Sequence, residues 1–254
     1  MNTTLLIASG VLAASSIGTG LARRHQACKL LLLLDARSSS VSELLDLQQT
    51  VADQMGAGAF REQVKLSGEI VCDEPLTAPW SGEPCVAFTN TTTCLMEVRE
   101  VTTRTDGDGN TQTEVRWQRR DQTIDRFERR CGFSLRQGSQ TLPIDPEAAE
   151  LELECVFSQV DPATRGDTFN TRQLGIERQE AILRPNGMVF VVAECSDTGE
   201  YLQLQAPQAS GLFVVRRGSE ADFTSSIRRW RRIWMTSTWV LISLAAVLLV
   251  ASAA

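Results

Sequence analysis

The chain has 254 residues, 43% of them hydrophobic, and a formal net charge of -6 at pH 7. A chain of this length and composition can bury a sizeable core, so we expect a folded protein and not a disordered one. All acidic residues lie between Asp35 and Asp222, whereas basic clusters lie beside the hydrophobic chain ends. An acidic central region repels phosphate groups, and we therefore expect no nucleic-acid partner.

Residues 3–22 form the first uncharged hydrophobic segment. A cleaved signal peptide and a retained anchor both fit its composition. We favour a transmembrane helix, because the segment lacks a basic start and is followed at once by Arg23 and Arg24. Its small residues recur at every fourth position: Gly10, Ala14 and Gly18. This face predicts close helix packing, either on a second hydrophobic helix or on another copy of the chain in a homo-oligomer.

Residues 233–254 form a second uncharged segment, which at about 1.5 Å per residue is long enough to cross a bilayer core. Four arginines and Trp230 precede it, and Trp234 lies at its start, as is typical of a membrane interface. With Arg23 and Arg24, the predicted interface residues are Arg228, Arg229, Trp230, Arg231, Arg232 and Trp234. Membrane lipid is therefore an expected partner. Because basic residues flank the middle of the chain on both sides, the positive-inside rule places the domain on the cytoplasmic side of a two-pass protein.

Between these segments, the hydrophobic pattern predicts a helix and then strands. Residues 23–60 form a helical linker, in which Ser40 and Glu43 form a capping-box pair and Gly56 ends the helix. From residue 61 the period changes to two. The predicted strands lie at residues 131–135, 151–157, 188–193 and 202–204, with turns at 106–110 and 185–187. The predicted fold class is α+β: a mainly antiparallel β domain at residues 61–222 with one core, flanked by the two transmembrane helices.

The seven cysteines and the single histidine limit the chemistry of the chain. The cysteines are odd in number, widely spaced and without a CxxC pair: Cys28, Cys72, Cys85, Cys94, Cys131, Cys155 and Cys195. We predict reduced thiols, no metal site and no cofactor. His25 lies beside Arg23 and Arg24, too near the first hydrophobic segment to serve a catalytic triad. The run from Asp106 to Asn110 lacks the glycine and glutamate of a calcium loop, so no catalytic or metal-binding residue is predicted.

Residues 64–101 contain a G-x-[IV] strand, an acid-Pro-Leu step and a Ser-Gly-x-Pro-Cys loop. Trp117, the PIDPEAAEL stretch at residues 143–151, and the passage from Glu180 to Gly187 follow in order. In these features the chain resembles the GIDE domain, also called BAM for "beside a membrane", of MULAN-type E3 ubiquitin ligases in mitochondrial and chloroplast envelopes. The resemblance extends over nearly the whole chain and includes the plan of helix, domain and helix.

The resemblance also implies what to expect of function. Ligases of this type carry a zinc RING domain after the second helix, with about eight Cys and His ligands. No cysteine follows residue 195 here, so we expect a version without the RING. The family places its domain in an intermembrane space, in contrast to the cytoplasmic side that the charges favour.

The leading hypothesis is a non-catalytic, membrane-tethered interaction or sensing module with an unknown protein partner. The predicted partner-binding residues are Trp80, Ser81, Gly82, Pro84 and Cys85, although a buried structural thiol is the favoured interpretation of Cys85. The hairpin at residues 106–110 is a second candidate surface. Two other hypotheses remain: a subunit of a separate ligase or protease complex, and a structural envelope scaffold.

Overall fold

The computed structural model describes residues 24, 27–105, 111–163, 168–209 and 211–253. In chain order the elements are the described part of a helix at residues 27–35 (α1), β1 (Arg37–Ser38), α2 (Val41–Met55), β2 (Arg61–Val71), β3 (Leu76–Thr77), β4 (Pro84–Cys85), β5 (Ala87–Thr105), β6 (Thr111–Arg130), β7 (Phe133–Gln137), β8 (Gln140–Ile144), β9 (Glu150–Leu151), β10 (Glu154–Pro162), β11 (Thr171–Leu183), β12 (Met188–Asp197), β13 (Leu202–Gln205), β14 (Val214–Arg217) and α3 (Glu220–Ala253).

Helix α2 begins and ends where the sequence predicts. The Ser40 hydroxyl accepts a hydrogen bond from the backbone N–H of Glu43 at 3.2 Å and so caps the first turn. The capping box is only half formed, because the Glu43 carboxylate pairs with Arg37. At the other end, Gly56 takes φ +92° and its N–H donates to the carbonyl of Ala52. The predicted helix is thereby confirmed.

The first of two compact units comprises Met1–Ile70, Ser134–Glu150 and Gly187–Ala254. Its sheet has the strand order β1-β2-β7-β8-β13-β12-β14-β9, and β2 also pairs with β12, so that five strands form a closed ring. Strand β1 pairs with β2 in parallel, and so does β13 with β8. Helices α1 and α3 pack on β12 and β14 through Leu33, Phe223 and Ile227, and the rings of Phe190 and Phe223 lie 5.9 Å apart.

The second unit comprises Val71–Phe133 and Leu151–Asn186. It contains an antiparallel sheet of strand order β10-β11-β5-β6, in which β5 and β6 are 19 and 20 residues long, and the short β3–β4 hairpin. The hairpin packs on the sheet through the buried residues Ala78, Cys85, Phe88 and Ile182. This unit therefore has an apolar cluster of its own.

The predicted fold class is corrected to mostly β. Within the part of the chain that the structure describes, no helix combines the length and the apolarity needed to cross a membrane. Helix α3 includes the segment predicted at residues 233–254, but it begins at Glu220 and carries Asp222, Arg228, Arg229 and Arg232 along its first turns. On this finding, the predicted transmembrane helix at residues 233–254 and the localisation as a two-pass membrane protein are corrected. The other predicted transmembrane segment, at residues 3–22, lies outside the described residues.

The strand predictions had mixed outcomes. Strands β12 and β13 confirm the predictions at residues 188–193 and 202–204, and Gly187 with φ +98° confirms the turn before β12. The prediction of a single core is wrong, because the strands divide between two compact units. The predicted strand at residues 151–157 is also divided: β9 belongs to the eight-stranded sheet and β10 to the four-stranded one. Four predicted features lie outside the described residues: the Gly10, Ala14 and Gly18 face, Arg23, His25 and the 106–110 hairpin.

Candidate partner-binding loop

The predicted partner-binding residues lie together on the β3–β4 hairpin. Leu76 pairs with Cys85, and Thr77 pairs with Pro84. Between the strands the chain turns back on itself: the N–H of Ala78 donates to the carbonyl of Glu83, and the N–H of Gly82 donates to that of Ala78, both at 2.9 Å. We call residues 80–85 of this hairpin the 80–85 loop.

A buried carboxylate on the neighbouring sheet holds this loop in place. Glu180, in β11, is 0% exposed. Its Oε2 accepts a hydrogen bond from the N–H of Trp80 at 2.9 Å. Its Oε1 accepts one from the N–H of Ser81 at 2.8 Å and one from the Ser81 hydroxyl at 2.5 Å. The ion pairs among the described residues do not include Glu180, so these three donors carry the stabilisation of a carboxylate that would otherwise be costly to bury.

The loop has an inner and an outer side. On the inner side, Cys85 is 0% exposed and packs with Phe88 and Ile182. Trp80 is half-buried, with its ring centroid 5.8 Å from that of Phe157. Gly82, which has φ +73°, and Pro84 are exposed. The outer side therefore consists of part of the indole, a glycine and a proline, whereas Cys85 lies beneath it.

Charged side chains border the same loop. Arg184 forms ion pairs with Glu83 from the loop and with Glu154 from β10, the second at 3.4 Å between Nε and Oε2. The three side chains are partly exposed, so each pair contributes little stability in water. Their main effect is to fix the position of Glu83 at the C-terminal part of the loop.

Three thiols lie at the base of the hairpin. The Sγ atoms of Cys72 and Cys131 are 3.8 Å apart, and the Cys131 N–H donates to the carbonyl of Val86 at 2.9 Å. Burial, and to a smaller extent the neighbouring Cys131, Glu180 and Cys72, raises the pKa of Cys85 to about 11. Burial also raises the pKa of Cys131 to about 11. Both groups are therefore thiols at neutral pH, which agrees with the interpretation of Cys85 as a buried structural residue.

The predicted interface residues lie in the other unit. Arg228, Arg229 and Arg232 are exposed on α3, where they line a groove of about 1020 Å³ together with Ser219 and Ser225. The rings of Trp230 and Trp234 stack with centroids 6.5 Å apart, and Arg24 is exposed. The side chain of Arg231 is outside the described residues. The sequence thus predicted two sets of residues that the fold assigns to different units.

The sequence missed the residues that organise the 80–85 loop. Glu180 occurs in a strand with charged neighbours, where an acid usually faces solvent, and only its place in the family-like passage at residues 180–187 marked it. Asn90, directly opposite Glu180 on β5, is also buried, and its Oδ1 has no hydrogen-bond partner among the described residues. For Phe157, the aromatic neighbour of Trp80, the sequence indicated only a position in an alternating strand.

The fold and the anchored loop together define a mostly β protein of two units that presents a fixed hairpin. Among the described residues, no cluster of His, Cys, Asp and Glu could hold a metal ion. Comparison with known protein families matches residues 101–250 to GIDE, described as E3 ubiquitin ligase. Because this match covers more than half of the 254 residues, the chain belongs to the GIDE family.

The family assignment confirms the resemblance found in the sequence. The matched residues include Glu180 and Cys131 but begin after the 80–85 loop. The domain is therefore related to E3 ubiquitin ligases. Neither the curated proteins nor the solved structures contain a significant match to the chain.

Proposed function

We propose that this chain is a non-catalytic protein-recognition module, related to E3 ubiquitin ligases, whose protein partner binds the outer side of the 80–85 loop. The observation that carries the proposal is the anchoring of Trp80 and Ser81 by the buried carboxylate of Glu180. A loop held by three hydrogen bonds loses little conformational entropy when a partner binds it.

The composition of the outer side supports recognition of a protein. Tryptophan is enriched at the energetic centres of interfaces, because it offers a large apolar surface and a donor in one rigid group. Trp80 is held by Phe157 on one side and remains half-exposed on the other. Pro84 and Gly82 are exposed beside it, and neither has side-chain rotamers to lose on binding.

The state of the nearby ionisable groups supports a non-catalytic role for the loop. The Glu180 carboxylate is fully buried and accepts hydrogen bonds from the backbone, so it lacks access to a substrate. The raised pKa of Cys85 keeps it protonated at neutral pH, and it too is fully buried. Neither group meets the needs of a nucleophile or a general base.

Membership of a family described as E3 ubiquitin ligase favours one class of partner. On this view the loop would bind either a substrate or a catalytic subunit of a ligase, and the chain would contribute specificity to the complex. A subunit role of this kind is the second candidate function. It predicts that the cross-linked partner is a protein of the ubiquitin pathway or a protease.

Site-specific photo-cross-linking tests the proposal in cells that express the full chain. A photoreactive amino acid replaces Pro84 in one variant and Val160 in the control, since Val160 is in β10 of the same unit and is 54% exposed. We expect a discrete covalent adduct from position 84 and none from position 160. The adduct should weaken when Glu180→Gln is added, while circular dichroism shows the chain still folded. Equal adducts at both positions, or none at position 84, would overturn the proposal.

A further inference from the structure

Cys72 and Cys131 are far apart in sequence but meet at the base of the β3–β4 hairpin. Their sulfur atoms lie 3.8 Å apart, and the Cys72 Sγ also lies 3.8 Å from the carbonyl oxygen of Gly132. A disulfide requires about 2.05 Å between the sulfurs, so the two atoms must approach by a little under 2 Å. Both side chains are partly exposed, which allows a small oxidant to reach them.

We propose that Cys72 and Cys131 are a redox-active pair that closes to an intramolecular disulfide by exchange with a small disulfide such as oxidised glutathione. Cys72 follows the last residue of β2 and lies outside any strand, so a shift of its side chain does not require a strand pairing to break. Cys131 is held by its N–H bond to Val86. The approach is therefore made by the Cys72 side, without breaking the strand pairing of either sheet.

The chemistry balances in two exchange steps. The Cys72 thiolate attacks one sulfur of oxidised glutathione, forms a mixed disulfide and releases one glutathione thiolate. The Cys131 thiolate then attacks the Cys72 sulfur, forms the protein disulfide and releases the second glutathione thiolate. Two electrons pass from the cysteine pair to glutathione, and the two protons that the cysteines lose are taken up by the two glutathione thiolates.

The environment of the pair sets the order of these steps. The contact of the Cys72 sulfur with Gly132 is exposed, whereas the contact of the Cys131 sulfur with Val86 at 3.4 Å is partly buried. Burial also raises the pKa of Cys131 to about 11, so its thiolate is scarce at neutral pH. Cys72 therefore reacts first, and ring closure by Cys131 is the slow step.

The disulfide would affect the hairpin that Cys72 precedes. It would join the start of the segment that carries the 80–85 loop to the end of β6, and so restrict the opening of the hairpin. Any effect on partner binding rests on the proposed function. The disulfide itself does not, and it is measured on the isolated chain without a partner.

The test is oxidation of the purified full chain by glutathione, followed by alkylation of the remaining thiols and peptide mapping without reduction. We expect loss of both thiols, no added glutathione mass, and a cross-linked peptide pair that contains residues 72 and 131. The rate of closure should rise about tenfold per pH unit below the pKa of Cys131, because closure requires its thiolate. Amide hydrogen exchange at Trp80 and Ser81 should slow in the oxidised form.

Three variants make the outcome decisive. Cys131→Ser should stop the reaction at the mixed disulfide and retain one glutathionyl group on Cys72. Cys85→Ala should still form the disulfide, and so should Cys155→Ser, which removes an exposed thiol elsewhere in the unit. A cross-link to Cys85 instead of Cys72, or full alkylation of Cys72 and Cys131 after oxidation of the folded wild type, would overturn the proposal.

Discussion

Replacing Glu180 by glutamine tests whether the carboxylate fixes the 80–85 loop. Glutamine keeps one acceptor oxygen but presents an amide group where Oε2 accepts from Trp80. An unpaired buried N–H costs about 1–3 kcal/mol, and the two bonds from Ser81 would each lose about 0.5–1 kcal/mol as they change from charge-assisted to neutral. Easier burial of the neutral amide offsets part of this loss. We therefore expect Glu180→Gln to lower the free energy of unfolding by about 2–4 kcal/mol.

Urea unfolding of the purified chain, followed by tryptophan fluorescence and circular dichroism, measures this change. Glu177→Gln is the matched control, because Glu177 is in the same strand and its carboxylate accepts a hydrogen bond only from the Gln179 side chain among the described residues. We expect the control to change stability by less than about 0.5 kcal/mol. If Glu180→Gln unfolds within the same margin of the wild type, the carboxylate does not anchor the loop.

Three further predictions concern other parts of the chain. Two backbone N–H groups, from Gly58 and Gly199, donate to the Asp197 carboxylate at 2.8 Å each and lower its pKa. Its contribution to stability is therefore present above about pH 4 and is lost as the pH falls below that value, so the difference in urea midpoint between wild type and Asp197→Asn should shrink from pH 7 to pH 3. An unchanged difference would contradict this. Gly175→Ala should destabilise the second unit by about 1–3 kcal/mol, because the added Cβ would lie 2.6 Å from the carbonyl oxygen of Asp161; an unaltered melting temperature would refute the close approach. In the folded chain, maleimide should label the exposed Cys155 much faster than Cys195, since Cys195 is 0% exposed and burial raises its pKa to about 12; peptide mapping that finds equal labelling would exclude the buried position.

The parts of the fold that depend on short-range signals could be predicted from the sequence. Ser40 and Gly56 bound α2 because a cap needs only a hydroxyl on one side and a left-handed glycine on the other. The apolar run at residues 188–193 predicted β12 for a similar reason, since all its side chains are apolar and all but that of Met188 are buried, as in a strand enclosed on both faces. In each case, the residues that determine the element lie close together in the sequence.

The division into two units depends on pairings that local patterns do not contain. Residues 151–157 alternate as one strand, yet the chain passes from the eight-stranded sheet to the four-stranded sheet within them. Strand β11 pairs with β5 across a long stretch of sequence, and only this pairing places Glu180 opposite Asn90 and beneath the loop. The hydropathy of residues 233–254 predicted a helix there, but it did not show that this helix begins at Glu220.

The residues of the candidate site, too, could be predicted from the sequence only in part. Trp80 and Pro84 were predicted because the loop resembles a known motif, although the family match begins after the loop. Glu180 and the Cys72–Cys131 contact were not found, because a carboxylate in a strand and two scattered thiols have no meaning until the fold brings their partners close. The contacts that define this site therefore form only when the chain is folded.

The carboxylate anchor and the thiol pair act on the same hairpin from different points. Glu180 holds its tip by accepting bonds from Trp80 and Ser81, while Cys72 and Cys131 lie where the hairpin segment begins. Hydrogen bonds to the tip act only in the folded protein, whereas a disulfide also restricts the unfolded chain. The two effects can thus be separated: Glu180→Gln should loosen the loop in the reduced and the oxidised chain alike, and oxidation should slow amide exchange in both proteins. A loop that oxidation protects only when Glu180 is intact would mean that the disulfide acts through the anchor and not on the hairpin itself.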